Sequence, residues 1–174
     1  MVAIIQSKNL NLLGGTKSIL EAALNGEEDL SKVLGVLISE NWTEFGTEPL
    51  QWALNMFLSD ENEQNWLSYF PIHKKDHKLI GFGGYKGKPS DVGVVEIGYE
   101  ITPAYRNRGF AKEFAKALID YAFQNNEVQS VIAHTLAFEN PSTSVLKKCG
   151  FVKVEEIEDP EDGQIWKWEL KKKY

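Results

Sequence analysis

Between Gly93 and Phe123 the hydrophobic pattern changes period, and no other stretch of the chain constrains the fold as much. Over Gly93 to Ile101 the residues alternate as in a strand with two unlike faces, Glu96, Gly98 and Glu100 on one and Ile97, Tyr99 and Ile101 on the other. From Ala111 the spacing is helical instead. Ala111, Phe114, Ala115, Leu118, Ile119, Ala122 and Phe123 share one face, opposite Lys112, Glu113, Lys116 and Asp120.

The flanking sequence supplies the other layers. Val2 to Ile5 is short and β-leaning, and Gly14-Gly15 ends what begins there. Two short helices are predicted: Ile19, Ala22 and Ala23 follow Thr16 as an N-cap, and Leu30, Val33, Leu34 and Leu37 repeat the spacing beyond Gly26. A third helix starts at Thr47, with Pro49 in its first turn and Leu50, Leu54, Phe57 and Leu58 as its apolar face. Trp66 to Phe70 and Lys78 to Tyr85 read as strands joined by a polar loop, His73 to His77. Ser130 to Leu136 is a strand, and a short helix from Ser142 to Lys148 stops at Cys149-Gly150. Phe151 to Ile157 and Gln164 to Leu170 flank the turn Asp159 to Gly163 as a hairpin. The result is an α+β fold on one sheet, a single domain over residues 1–174 with no internal repeat or linker.

Composition narrows the partners. The 19 basic and 25 acidic side chains leave a formal charge of −6, which argues against direct binding of nucleic acid, since that needs a dense basic face. The single cysteine, Cys149, excludes an internal disulfide framework and a cysteine-rich zinc site, and it suits a reducing compartment. Met1 to Gln6 lack a basic, signal-like start, and no run of about 18 apolar residues offers a membrane span. The expectation is a cytoplasmic protein with no membrane partner.

The chemistry concentrates in Tyr99 to Lys112, where the strand ends, a loop carries Arg106, Arg108 and Gly109, and the long helix begins. Free N–H groups at a helix start, a glycine permitting close approach and the helix dipole make an anion site, which the two arginines and Lys112 would deepen. The ligand should carry phosphate. The Gly-Lys-Ser/Thr of a nucleoside-triphosphate loop is absent. Gly81-Phe-Gly83-Gly84 has no helix after it and reads as a strand with small residues at a close approach, not as a dinucleotide fingerprint.

Arg106-Asn-Arg-Gly109-Phe-Ala111 resembles the R/Q-x-x-G-x-G/A loop of the GCN5-related N-acetyltransferases. Val95 to Tyr99 before it, Ala133 to Leu136 after it and Val145 to Phe151 at the close agree with that family in order and spacing. The likeness is dense over roughly residues 79 to 155 and is greatest to the subgroup of bacterial ribosomal-protein N-terminal acetyltransferases. It implies a mixed, splayed central sheet flanked by helices, with acetyl-CoA as cosubstrate between the strand ending near Ile101 and the strand carrying His134. The pyrophosphate would rest on the N–H groups of Arg108, Gly109, Phe110 and Ala111, and the pantetheine arm would pair with the main chain of Glu100, Ile101 and Thr102. Asn140 would bind the pantetheine or position Ser142, although the commoner family spacing puts the asparagine at Glu139. No metal is implied. Relatives in the subgroup are often homodimers, but no segment marks an interface.

Direct acetyl transfer needs an amine stripped of its proton, a donor for the oxyanion and a proton for the leaving thiolate. The resemblance makes Glu96 the leading base, acting directly or through water, with an exposed or substrate-positioning role as the alternative. Ser142 matches a serine that some ribosomal-protein acetyltransferases place near the thiol; helix capping is its other reading, with Ser144 second on both counts. The tyrosine that many relatives use as acid is missing, since none occurs between Tyr121 and Tyr174. His134, mid-strand beside Ile132 and Leu136, reads as a structural histidine ahead of a base. His73 and His77 read as solvated loop residues, Cys149 as a small buried hydrophobe, and Lys171 to Lys173 as a solvated tail. Trp42, Phe45, Trp52, Phe57 and Trp66 are core or an acceptor pocket. The acceptor is a protein N-terminus or a small amine, and a non-catalytic acyl-CoA-binding module is the reading from another class.

Overall fold

The alternating segments assemble into one mixed sheet in the computed structural model, which describes residues 3–174. Its strands are β1 (Ile4–Gln6), β2 (Leu10–Gly14), β3 (Leu37–Ile38), β4 (Ser68–His73), β5 (Lys78–Leu79), β6 (Gly81–Tyr85), β7 (Val94–Ile101), β8 (Ser130–Leu136), β9 (Val152–Asp159) and β10 (Gly163–Lys171). The helices are α1 (Lys17–Asn25), α2 (Glu27–Leu34), α3 (Glu48–Ser59), α4 (Phe110–Gln124) and α5 (Pro141–Lys148). The strand order is β1-β2-β4-β6-β7-β8-β10-β9, with β3 and β5 off this path. Only β7–β8 and β3–β5 are parallel among the described pairs.

The two faces of β7 meet two different cores. Val95, Ile97 and Ile101 pack with Phe114, Ala115 and Leu118 of α4. On the other face Phe82, which lies opposite Glu100 in the β6–β7 register, joins Leu20, Leu30, Leu50 and Phe70 under α1, α2 and α3. The glycines of β6 are the close approach expected of them: a Cβ on Gly81 or Gly83 would run into the main chain of β7, and one on Gly84 into the Leu67 carbonyl.

Long-range pairing changes several local expectations. The opening segment is a hairpin, β1 with β2, because Leu10 and Leu12 are fully buried and β2 pairs with β4; Val2 lies outside the described residues. Leu37 is not helical. Gly35, in the left-handed region at φ 69°, ends α2, and Leu37 and Ile38 pair with β5. Trp66 closes a 3₁₀ turn, Glu61–Trp66, packing edge-on to Tyr85, so the strand begins at Ser68 and runs through His73. His73 is buried at 5% exposure, paired with Leu10 and packed edge-on to Phe110 and tilted against Tyr105, not solvated. Thr47 sits before α3 without a side-chain cap.

Glu113, in the first turn of α4, ties that helix to the β1–β2 turn. It accepts from Ser7 Oγ at 2.6 Å, Asn9 N–H at 2.6 Å and Asn9 Nδ2 at 2.9 Å. Burial alone would push its carboxyl up, but these hydrogen bonds outweigh it and hold the group below the usual carboxylate value. A depressed folded-state value means the stabilisation is complete above the ordinary carboxylate pKa and is lost as pH falls through the folded one. Glu113→Ala is expected to cost about 1–3 kcal/mol in urea unfolding at neutral pH, with the difference from wild type shrinking in acid.

Candidate active site

The site is a place where the sheet comes apart. β7 and β8 pair at Val94↔Ser130, Val95↔Val131 and Glu96↔Ile132, then run on to Ile101 and Leu136 without pairing to each other. Lys86 N–H donates to Glu96 O at 2.9 Å and Thr102 N–H to Ile80 O at 2.8 Å, which sets the antiparallel phase. Even-numbered residues of β7 therefore turn their main chain to β6, and Tyr99 and Ile101 turn theirs into the gap. Of the run Glu100 to Thr102, only Ile101 faces the gap; Glu100 and Thr102 are occupied by β6 and its continuation, and Tyr99 takes their place. The Ile101 carbonyl accepts from Arg106 Nε at 2.9 Å.

At the end of this gap α4 begins with no side-chain cap. Gly109 holds φ 85° and Asn107 φ 60°, a left-handed pair that turns the chain so that the N–H groups of Phe110, Ala111 and Lys112 face outward without intrahelical partners. The loop arginines are both engaged. Arg106 also reaches Glu44 at 3.2 Å, and the Arg108 guanidinium lies 4.9 Å from the Tyr105 ring centre and 5.0 Å from that of Phe110. Beneath them Tyr105 Oη donates to Asp76 at 2.6 Å, and His73 Nδ1 stands 3.1 Å from the same carboxylate oxygen. The loop before α4 thus rests on the buried end of β4.

Where β7 and β8 part, on the face away from α4, His134 Nδ1 lies 2.7 Å from Glu96 Oε1 and Lys86 Nζ lies 2.9 Å from the same oxygen. His134 and Glu96 are 24% and 21% exposed, so the pair is neither core nor free surface. Farther along that face Glu100 accepts the Glu44 N–H, and burial pushes its carboxyl up. Phe45 and Trp52 are exposed, whereas Trp42 and Trp66 belong to the core and Phe57 packs against it.

On the α4 face, Asn140 caps α5: its side chain accepts from Thr143 N–H at 3.0 Å, and Thr143 Oγ1 accepts from Asn140 N–H at 3.0 Å. Ser142 is therefore not the cap. Asn140 Nδ2 donates to Phe138 O, so its amide is engaged by the local chain. The Tyr99 hydroxyl reaches across to the Ser142 carbonyl at 3.5 Å, and burial pushes this phenol up to about 12. Glu139, at the other spacing, accepts from Thr143 Oγ1 and Lys147. Cys149 is half-buried, and burial pushes its thiol up, away from reactivity.

Lys86 and Tyr99 were not singled out from the sequence. The register of the β6–β7 hairpin would have put Lys86 beside Glu96, whereas no local signal carries Tyr99 to α5.

An uncapped helix start, a loop of two left-handed residues and a split parallel pair thus meet at one gap in the sheet, and comparison with known proteins gives the family. The family model for the acetyltransferase (GNAT) domain matches residues 23–152. The chain belongs to the GNAT N-acetyltransferase family. It is 22% identical over 152 residues to the uncharacterized N-acetyltransferase YjdG of Bacillus subtilis (strain 168), covering 87% of this chain and 90% of that one. Among solved structures it resembles RimL, a ribosomal L7/L12 α-N-protein acetyltransferase in complex with coenzyme A, with a TM-score of 0.71, 14% identity and coverage of 97% and 98%. It also resembles the ribosomal-protein-S5-alanine acetyltransferase of Vibrio fischeri, with a TM-score of 0.68, 14% identity and coverage of 97% and 96%. Both likenesses extend over nearly the whole chain and show a shared fold.

Gly109→Val would force a β-branched residue to φ 85°. Strain of about 1–2 kcal/mol at the helix start predicts roughly tenfold weaker acetyl-CoA binding by calorimetry.

Proposed function

We propose that this enzyme transfers the acetyl group of acetyl-CoA directly to a primary amine, and that the favoured acceptor is a protein or peptide N-terminus. One observation carries the reading: the unpaired main chain of Tyr99 and Ile101 runs toward the uncapped start of α4, so one gap offers both a strand edge and an anion site. The pyrophosphate would sit on the N–H groups from Gly109 to Ala111, and the pantetheine arm would add to β7 by hydrogen bonds to Tyr99 and Ile101. That arm ends where β7 and β8 meet, beside Glu96 and His134.

The amine nitrogen then bonds to the acetyl carbon, the C–S bond breaks, and the nitrogen's proton passes to the Glu96–His134 pair. The thiolate takes a proton from the opposite face. Tyr99 is better suited than Ser142, because a phenol is the stronger acid and its 3.5 Å bond to Ser142 O holds it only loosely. Arg106 and Arg108 assist chiefly by shaping the loop. The N-terminal acceptor is supported by the subgroup likeness and by the stated activities of RimL and the Vibrio fischeri enzyme. No described helix is long and apolar enough to cross a membrane, and a lone cysteine suits the cytoplasm, where we place the reaction.

The test is release of free thiol from acetyl-CoA with three probes: a peptide with a free serine or alanine N-terminus, the same peptide blocked at that end but carrying lysine, and spermidine. Fastest release with the free N-terminus is expected; preference for spermidine would move the acceptor to small amines, and coenzyme A binding with no turnover would make the chain a binding module. Tyr99→Phe is expected to lower kcat by about 10²-fold at unchanged KM for acetyl-CoA, measured in the same assay.

A further inference from the structure

Resting on the acetyl-transfer reading, we infer that His134, not Glu96, accepts the proton of the acceptor amine, with Glu96 and Lys86 as the positioning pair behind it. Glu96 Oε1 faces two nitrogen donors, Lys86 Nζ at 2.9 Å and His134 Nδ1 at 2.7 Å. An ionised carboxylate can only accept, so Nδ1 carries the hydrogen of that contact. The neutral imidazole is then the Nδ1–H tautomer, and its second nitrogen, Nε2, keeps a lone pair with no protein partner among the described residues.

Protonating the two groups has opposite consequences. A proton on Glu96 would cancel the charge that holds both Lys86 and His134. A proton on His134 Nε2 leaves that charge intact and turns the 2.7 Å contact into a hydrogen-bonded ion pair.

Position agrees with chemistry. His134 stands two residues beyond the last β7–β8 rung, on the face opposite α4 and α5. An amine approaching from that face meets His134 where the cofactor arm ends, while Tyr99 serves the sulfur from the other side. The charged groups facing His134 are Glu96 of β7 and Lys86 just after β6, then Lys167 opposite it on β10 and Glu155 opposite Lys167 on β9. Asp159, at the end of β9, completes the set: main-chain hydrogen bonds from Asp162 and Glu161 hold its carboxyl low, and the charge of Lys86 adds to this. In the step itself the proton moves from nitrogen to Nε2 as the N–C bond forms. The imidazolium later releases it to water.

Two measurements test the assignment. On the protein alone, long-range ¹H–¹⁵N correlation spectra at mildly alkaline pH, with His134→Gln to identify the signal, are expected to show His134 protonated at Nδ1. A hydrogen on Nε2 overturns the proposal. With an amine that the wild type acetylates, His134→Gln is expected to cut kcat by about 10²-fold or more at unchanged KM for acetyl-CoA and to erase the acidic limb of the pH profile. Glu96→Gln should lose less and keep the limb, and added imidazole should restore part of the rate of His134→Ala. The reverse pattern, with the limb lost in Glu96→Gln and kept in His134→Gln, overturns it. A wild type that binds coenzyme A but acetylates no amine brings down the acetyl-transfer reading itself, whereas an active wild type with the reverse pattern brings down only the role of His134.

Discussion

The structure depends on a parallel pair of strands that stops pairing after three rungs. Main-chain groups left open inside a protein must find partners in water or ligand, so a split of this kind persists only if the surroundings hold it apart. Here the surroundings do so on both sides. Arg106 fastens the loop to the end of β7 and to Glu44, Glu113 anchors the start of α4 to the β1–β2 turn, and the Asn140–Thr143 capping box sets where α5 begins beyond β8.

Alternation along β7 then divides the labour. Odd-numbered side chains join the α4 core, and their main chain faces the gap. Even-numbered ones face α1 to α3 or the cleft and include both glutamates. The open start of α4 and the Tyr99 hydroxyl thus lie on the helix α4 side, and Glu96 with His134 on the other. The −6 net charge conceals this division, because it sums the arginines of the loop before α4 and the glutamates of β7 without their positions.

Elements whose cause is local were legible in the sequence. β8 runs from Ser130 to Leu136 as its composition suggests, the α4 periodicity places the helix within a residue of its start, and the loop before it advertises itself through Gly109 and the arginines. Elements whose cause is a distant partner were not. His73 looks like part of a polar loop until Leu10 pairs with it and Phe110 covers it. Leu37 continues a helical spacing, yet Gly35 and the pairing with Leu79's neighbour Lys78 make it a strand. Asn140 was a ligand candidate by likeness and is a helix cap by geometry, since Thr143 N–H lies within its reach.

By itself the sequence determined which residues share a face and where the helix after the arginine loop starts, because periodicity and glycine conformation are properties of neighbouring residues. Only the tertiary structure decided that β7 and β8 separate after Glu96, that Tyr99 replaces Glu100 and Thr102 at the gap, and that His134 meets Glu96 from 38 residues away. Those outcomes rest on the register between strands, and register is a relation between segments that neither segment carries alone.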